Sequence, residues 1–197
     1  MAKLHPTKQV TRSSIARPQE TKTANILRDQ LPASYDVFQN INWATDRLNE
    51  SEKIDFNRPK RGEIDFVVVH KSGTIIIIEQ KNGAIKCEDG ETLIKQYEED
   101  KNIIEQVEKN KKRVVDQLSE VGIAVRPFNL LLFPDAQITK IKDNTIKKFN
   151  IVGKEQYKNL AKKIIGLVTE DKNKSNYKQI CDFFDGYFVI VNPPGHE

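Results

Sequence analysis

No apolar run in this 197-residue chain approaches the ~18–20 residues that span a bilayer, which excludes a transmembrane helix. The opening MAKLHPTKQVTRSSIARPQE has no apolar centre of the kind a secretory leader needs, and the expected location is the cytoplasm. Cysteine is scarce: Cys87 and Cys181 are too few and too far apart for a zinc site or a disulfide framework, which suits a reducing compartment. His5, His70 and His196 are scattered, leaving little support for a histidine-based metal centre or a Ser-His triad. There is also no G-x-x-x-x-G-K-[ST] sequence. Gly153-Lys154 is followed by Glu155, so the chain contains no P-loop ATPase.

What remains is an ordinary globular composition. With 38% hydrophobic residues the chain can bury one substantial core, or one core and a small appendage. The net charge of +4 is compatible with a polyanionic partner, and Lys109, Lys111, Lys112 and Arg113 cluster in one segment. Such a cluster is usually a solvated helix face, but contact with nucleic acid through Lys109, Lys112 and Arg113 is the sharper expectation, with binding that weakens steeply in salt.

The densest information lies in residues 62–83, GEIDFVVVHKSGTIIIIEQKNG. Two β-branched runs short enough for strands flank Lys71, Ser72 and Gly73, which read as a hairpin turn. A two-residue loop would set Asp65 opposite Gln80 and send Asp65 and Glu79 to opposite faces, because side chains alternate with period two. A three-residue loop sets Asp65 directly opposite Glu79. That loop ends in a left-handed residue, and Gly73 is suited to the position, so the three-residue form is expected. Asp65, Val67 and Val69 then share a face with Ile75, Ile77, Glu79 and Lys81, and Ile64, Phe66 and Val68 lie on the other with Ile76 and Ile78. Both faces are apolar near the turn, as in a central hairpin covered on both sides.

The charged end of such a hairpin is chemically apt. Carboxylates directly opposite on neighbouring strands have Cβ atoms ~5 Å apart, which suits joint ligation of a hard divalent cation such as Mg²⁺. An ammonium on the same face can orient a water or offset charge on a phosphate, so Asp65, Glu79 and Lys81 fit metal-assisted phosphodiester hydrolysis. A strand-end ion pair would use the same residue types without chemistry. Glycoside hydrolysis fits less well, since it has no use for Lys81 there and wants its carboxylates further apart.

Asp65 followed by Glu79-Gln80-Lys81 after an apolar strand resembles the PD-(D/E)xK nuclease signature, and Gly62-Glu63-Ile64-Asp65 with Ile78-Glu79-Gln80-Lys81-Asn82-Gly83 resembles its nuclease-related domain (NERD) family. The resemblance spans about Pro18 to Pro134. It implies a restriction-endonuclease-like α/β core, a mixed central sheet flanked by helices, and a Mg²⁺- or Mn²⁺-dependent nuclease acting on DNA. It also implies roles: Asp65 and Glu79 hold the metal, assisted by the backbone carbonyl of Gln80, and Lys81 positions the attacking water or the scissile phosphate. Glu20 resembles an additional active-site acid of the family, although a first-turn helix-dipole acid would look the same. Gln106 matches a family glutamine that orients the group near Lys81. Gln80 replaces the apolar residue usual in the triplet. Its side chain should point to the opposite face and, if buried, needs a partner, since an unpaired amide costs ~1–3 kcal/mol. Relatives are often joined to helicase or kinase domains, which implies a helicase or other ATPase as partner. The alternative is a nuclease-fold module that binds nucleic acid or such a partner without cutting.

The rest of the chain is read around this centre. Residues 1–17 are expected to form a flexible basic arm, 18–134 the nuclease-like core, and 135–197 a C-terminal helical extension completing or capping it. Residues 18–31 form a helix with Ala24, Leu27 and Leu31 on one stripe, and Tyr35 to Trp43 a first strand. A charged connection runs from Asp46 to Arg61. An amphipathic helix is expected from about Thr92 to Val121, its apolar stripe being Ile103, Val107, Val114 and Leu118. Gln106, Asn110, Arg113 and Gln117 border that stripe, with Asn110 and Arg113 read as solvent-facing. Phe128 to Phe133 is a buried strand, Tyr157 to Val168 and Tyr177 to Phe184 are helical, and Tyr187 to Val191 is strand-like.

Overall fold

The computed structural model describes residues 1–5, 18–44, 61–83, 85–88, 92–95, 101–138, 150–168 and 176–186. Its centre is the hairpin of β3 (Arg61–His70) and β4 (Ile75–Gln80). Val69 pairs with Ile75 and Phe66 with Ile78, so the same register sets Asp65 opposite Glu79. The loop is Lys71, Ser72 and Gly73, closed by hydrogen bonds from the His70 N–H to the Thr74 carbonyl (2.9 Å) and from the Gly73 N–H to the His70 carbonyl (2.8 Å). Gly73 has φ +89°, the left-handed conformation that the three-residue loop requires.

The hairpin is extended on both sides. β2 (Tyr35–Ala44) runs antiparallel to β3, and β1 (Lys3–His5) lies parallel to β2 at the edge. On the other side β8 (Phe128–Leu132) lies parallel to β4, and β9 (Asn150–Val152) parallel to β8. The result is a mixed six-stranded sheet in the order β1-β2-β3-β4-β8-β9. α1 (Pro18–Gln30) and α3 (Leu160–Ile165) cover one face, burying Ala24, Leu27, Leu160 and Ile164 against Phe66, Val68, Ile76 and Ile78. α2 (Ile103–Glu120) and α4 (Tyr177–Gly186) cover the other, where Val114, Leu118, Ile180 and Phe184 meet Val67, Val69, Ile75 and Ile77. The fold is thus α/β, a mixed sheet flanked by helices, and the hairpin is buried on both faces as its composition requires. No helix among the described residues is long and apolar enough to cross a membrane.

Four features depart from the sequence reading. The helix expected from Thr92 begins at Ile103. The preceding residues instead form a small antiparallel sheet of β5 (Ile85–Glu88), β6 (Thr92–Lys95) and β7 (Lys101–Asn102). Every residue of the predicted apolar stripe lies at or after 103, so the helical period never reached further back. Second, residues 1–5 are no part of a mobile arm. Ala2 and His5 are buried, and the two ring nitrogens of His5 face Asp36 (2.8 Å) and Asp185 (2.7 Å). Tyr177 donates its hydroxyl proton to the same Asp36. Third, Ile64 packs with Ile41 and Val67 rather than with Phe66. The alternation changes at Asn40, which has φ 53° and falls between the Gln39–Phe66 and Ile41–Ile64 pairs, across from Asp65. Fourth, β9 was not anticipated, being three residues long with little apolar pattern. The remainder of the expected arm, the connection 46–60 and the strand expected at 187–191 lie outside the described residues.

Replacing Gly73 by Ala places a Cβ on a left-handed residue, which costs about 1–2 kcal/mol. Gly73→Ala is therefore expected to lower the unfolding free energy by that amount, read as a lower urea midpoint at an unchanged m-value. An unchanged midpoint would show that the loop does not depend on this conformation.

Candidate functional site

β4, β8 and β9 are parallel and end together, and β3, antiparallel to β4, begins at the same edge. The first turns of α1 and α2 reach that edge as well: Gln19 donates to Asp135 just after β8 (2.7 Å), and Gln106 donates to Glu79 (2.6 Å). The charged end of the hairpin is therefore walled by two helices.

The hairpin opens locally at this point. Hydrogen-bonded pairs alternate along an antiparallel ladder, and since His70 and Thr74 form one, Asp65 and Glu79 fall at a non-bonded position with side chains close together. In an undisturbed ladder the Gln80 N–H would next turn to Ile64. Instead it donates to Asp65 Oδ2 at 2.7 Å, so the carboxylate takes a place in the strand pairing. This charge-assisted bond fixes Asp65.

Glu79 is braced from three directions. Its Oε1 accepts from Lys81 Nζ (2.5 Å) and Gln106 Nε2 (2.6 Å), and its Oε2 faces Asn110 Nδ2 at 3.4 Å. Asn110 also donates to the Glu63 carbonyl (3.0 Å), which ties α2 to the start of β3. At 3% exposure Asn110 is a buried member of the site, contrary to the solvent-facing reading. The signal was present in its spacing: it lies four residues after Gln106, on the same helix face.

Burial dominates the electrostatics. Asp65 is 5% and Glu79 2% exposed. Loss of water pushes the Asp65 carboxyl up to about 8, with the Glu79 charge adding to the rise, and Glu20 in the first turn of α1 acts in the same direction. Lys81 and the Gln80 N–H oppose it. Glu79 is also raised by burial and, to a lesser degree, by Glu63, against the charge and hydrogen bond of Lys81. Two buried carboxylates with one adjacent ammonium form a pocket short of positive charge.

Behind the site the sheet is locked by uncharged groups. The Gln80 side chain lies on the opposite face from Glu79, as period two dictates, and is fully engaged. Its Oε1 accepts from the Thr23 hydroxyl (2.6 Å) and its Nε2 donates to Asn82 (2.9 Å). Thr23, having donated, accepts from the Tyr157 hydroxyl (2.7 Å). Neither Thr23 nor Tyr157 stood out in the sequence as a polar partner, because each lies on a stripe that reads as core.

The residues expected to act together thus fall into two groups. Asp65, Glu79, Lys81 and Gln106 converge, and Glu20 is close enough for its charge to act on Asp65. Lys109 and Lys112 are exposed and Arg113 is half-buried on the outer part of α2. The helix balances its four cationic residues with Glu105, Glu108, Asp116 and Glu120, so its surface is not a field of one sign.

Comparison with protein families matches the chain to the family described as nuclease-related domain over residues 16–134. Comparison with curated proteins finds no match. Among solved structures, the crystal structure of protein VC1899 from Vibrio cholerae is similar at 17% identity and a TM-score of 0.41, covering 82% of this chain and 33% of its own. The present chain therefore spans about a third of that protein's length.

The raised Asp65 carboxyl gives stability a definite pH dependence. Its folded pKa lies above the unfolded value, so the folded state holds the proton more tightly and stability falls as pH rises from near 4 through about 8. Asp65→Asn, which keeps an acceptor for Gln80, is expected to be more stable than the wild type by upwards of about 1 kcal/mol at pH 8.5 in chelator. The difference should vanish near pH 4. Urea titrations at the two pH values check this, and a variant less stable at pH 8.5 would refute the repulsive pair.

Proposed function

Because the chain belongs to the nuclease-related domain family, we propose that the open end of the β3–β4 hairpin hydrolyses phosphodiester bonds, with DNA as substrate and Mg²⁺ or Mn²⁺ as cofactor. The observation that carries this reading is the pair of buried carboxylates, Asp65 and Glu79, set opposite one another with the Lys81 ammonium on the Glu79 oxygen. Burying two like charges so close is unfavourable, so one carboxyl keeps its proton unless a cation joins them.

The donor set fits such a cation. The ligands offered are hard oxygens, two carboxylates and the Gln80 backbone carbonyl. Among the described residues no cluster of three or more His, Cys, Asp or Glu side chains has metal-holding geometry. That favours Mg²⁺, which keeps several waters and binds through one or two carboxylates together with substrate phosphate, over zinc or calcium, which want a fuller protein cage. When bound, the metal would supply charge stabilisation at the phosphate and a more acidic water.

The remaining steps belong to side chains. Lys81, half-buried at the opening and bonded to Glu79, would hold the attacking water or a phosphate oxygen with its ammonium. Gln106 and Asn110 keep the Glu79 carboxylate aimed at the metal position. Glu20 contributes a further acid from α1, near Asp65. The cytoplasm is the proposed setting, in keeping with the free thiol of Cys181, and a helicase or other ATPase the proposed partner.

The test compares the wild type with Lys81→Ala on labelled single- and double-stranded DNA with Mg²⁺, with Mn²⁺ and with chelator. Metal-dependent cutting is expected, reduced at least about 100-fold in the variant, the scale of removing one group that stabilises transition-state charge. Absence of cutting under every condition, with salt-sensitive DNA binding retained by both proteins, would instead assign the site to a binding module.

A further inference from the structure

A second feature stands at the same edge of the sheet. β9 ends at Val152, and the chain turns through a 3-10 segment, Lys154–Asn159, into α3. Tyr157, Leu160, Ala161 and Ile164 pack inward. The outward face lines a groove of about 400 Å³ above the buried Val152, with Gln156, Asn159, Lys162, Lys163 and the half-buried Leu167 around it and Gly166 closing it.

The chemistry of this groove is specific. Residues 154–167 carry four lysines, Lys154, Lys158, Lys162 and Lys163, against the single acid Glu155. All four are exposed, and none has a carboxylate partner among the described residues. Within 154–167 the charge is thus mostly of one sign, unlike that of α2. Two ammonium groups at the rim, two amides on the wall and an apolar floor correspond to the three parts of a nucleotide: phosphate, base edge and base face.

Its position relates it to the proposed catalytic centre. Gln80 is in register with Leu132, and Leu132 with Val152, so the groove begins two strand spacings, about 10 Å, from the end of β4. The Lys154 N–H bonds to the Ala136 carbonyl, which holds the segment against the loop that follows β8, beside Asp135 and Gly83.

We propose that the groove between β9 and α3 is a subsite for one unpaired nucleotide of a nucleic-acid strand that leads away from the hairpin site. Lys162 and Lys163 hold the phosphate, Gln156 and Asn159 meet the base edge, and the base lies over Leu167. The proposal rests on the reading of the chain as acting on nucleic acid and is tested separately from cutting.

The experiment measures fluorescence anisotropy of a labelled single-stranded DNA oligonucleotide in chelator, with an abasic oligonucleotide of equal length as second probe. Lys162→Ala/Lys163→Ala is expected to weaken binding about tenfold and to flatten the dependence of log Kd on log salt by about 0.7, one phosphate contact on a single strand. Gly166→Leu fills the groove without altering charge. Gly166 has φ −68°, and its only near neighbours are the Lys162 and Lys163 carbonyls at 3.5 Å, so the new side chain is compatible with the backbone. This variant should weaken binding of the normal oligonucleotide and leave the abasic one unchanged. Lys71→Ala/Lys178→Ala, at two exposed lysines on the hairpin loop and on α4, serves as the charge control.

Equal losses in the Lys71/Lys178 control and the Lys162/Lys163 variant, Gly166→Leu binding like the wild type, or no binding by the wild type would each overturn the subsite. Groove-dependent binding without any cutting keeps the subsite and removes the nuclease assignment. Metal-dependent cutting with binding indifferent to the groove variants does the reverse.

Discussion

The register of one hairpin governs everything at the functional edge. Three loop residues, with Gly73 in the left-handed region, place Asp65 opposite Glu79. A loop one residue shorter would turn one of the two carboxylates into the α1 face, among Phe66, Ile76 and Leu27. A carboxylate turned there would lose Lys81, Gln106 and Asn110 as partners. The cost of that arrangement reinforces the register chosen by the turn, so local backbone preference and long-range electrostatics favour the same pairing.

Successive residues of β4 then serve opposite layers. Glu79 addresses α2 through Gln106 and Asn110, and Gln80 addresses α1 through Thr23. Each hydrogen bond satisfies a group whose burial would otherwise cost about 1–3 kcal/mol, and each also fixes a helix to the strand. The polar groups thus act as positioning devices within a core that is otherwise apolar. The same residues explain why Asp65 and Glu79 can remain buried close together: the Gln80 N–H holds one and Lys81 with two amides holds the other.

The edge where β4, β8 and β9 end gathers both the hairpin site and the lysine-lined groove, because parallel strands deliver their following loops to one side. Residues beyond Pro134 are integral to this arrangement. They supply β9, the Tyr157 hydroxyl behind Gln80 and the α4 residues that cover the hairpin. The chain's opening residues belong to it too, through His5 between Asp36 and Asp185.

Much of this was legible in the sequence where a short-range rule applies. Period two along 65–69 and 75–81, with a glycine at the end of a three-residue loop, determined the hairpin, its register and the convergence of Asp65 with Glu79 and Lys81. Helical spacing determined the apolar faces of α1 and α2 and placed Gln106 beside the core. Ile64 escaped the pattern because its face depends on the left-handed Asn40 in a neighbouring strand, and Asn110 because a polar residue on a helix border looks the same whether it meets water or a buried carboxylate. The Thr23–Gln80–Tyr157 chain joins residues 57 and 134 positions apart, and the groove needs β9 and α3 side by side. The sequence by itself determined what repeats every two or 3.6 residues. Only the tertiary structure decided which of those faces meet, because partners distant in the chain are chosen by packing and by the need to satisfy buried polar groups, and neither leaves a local period to read.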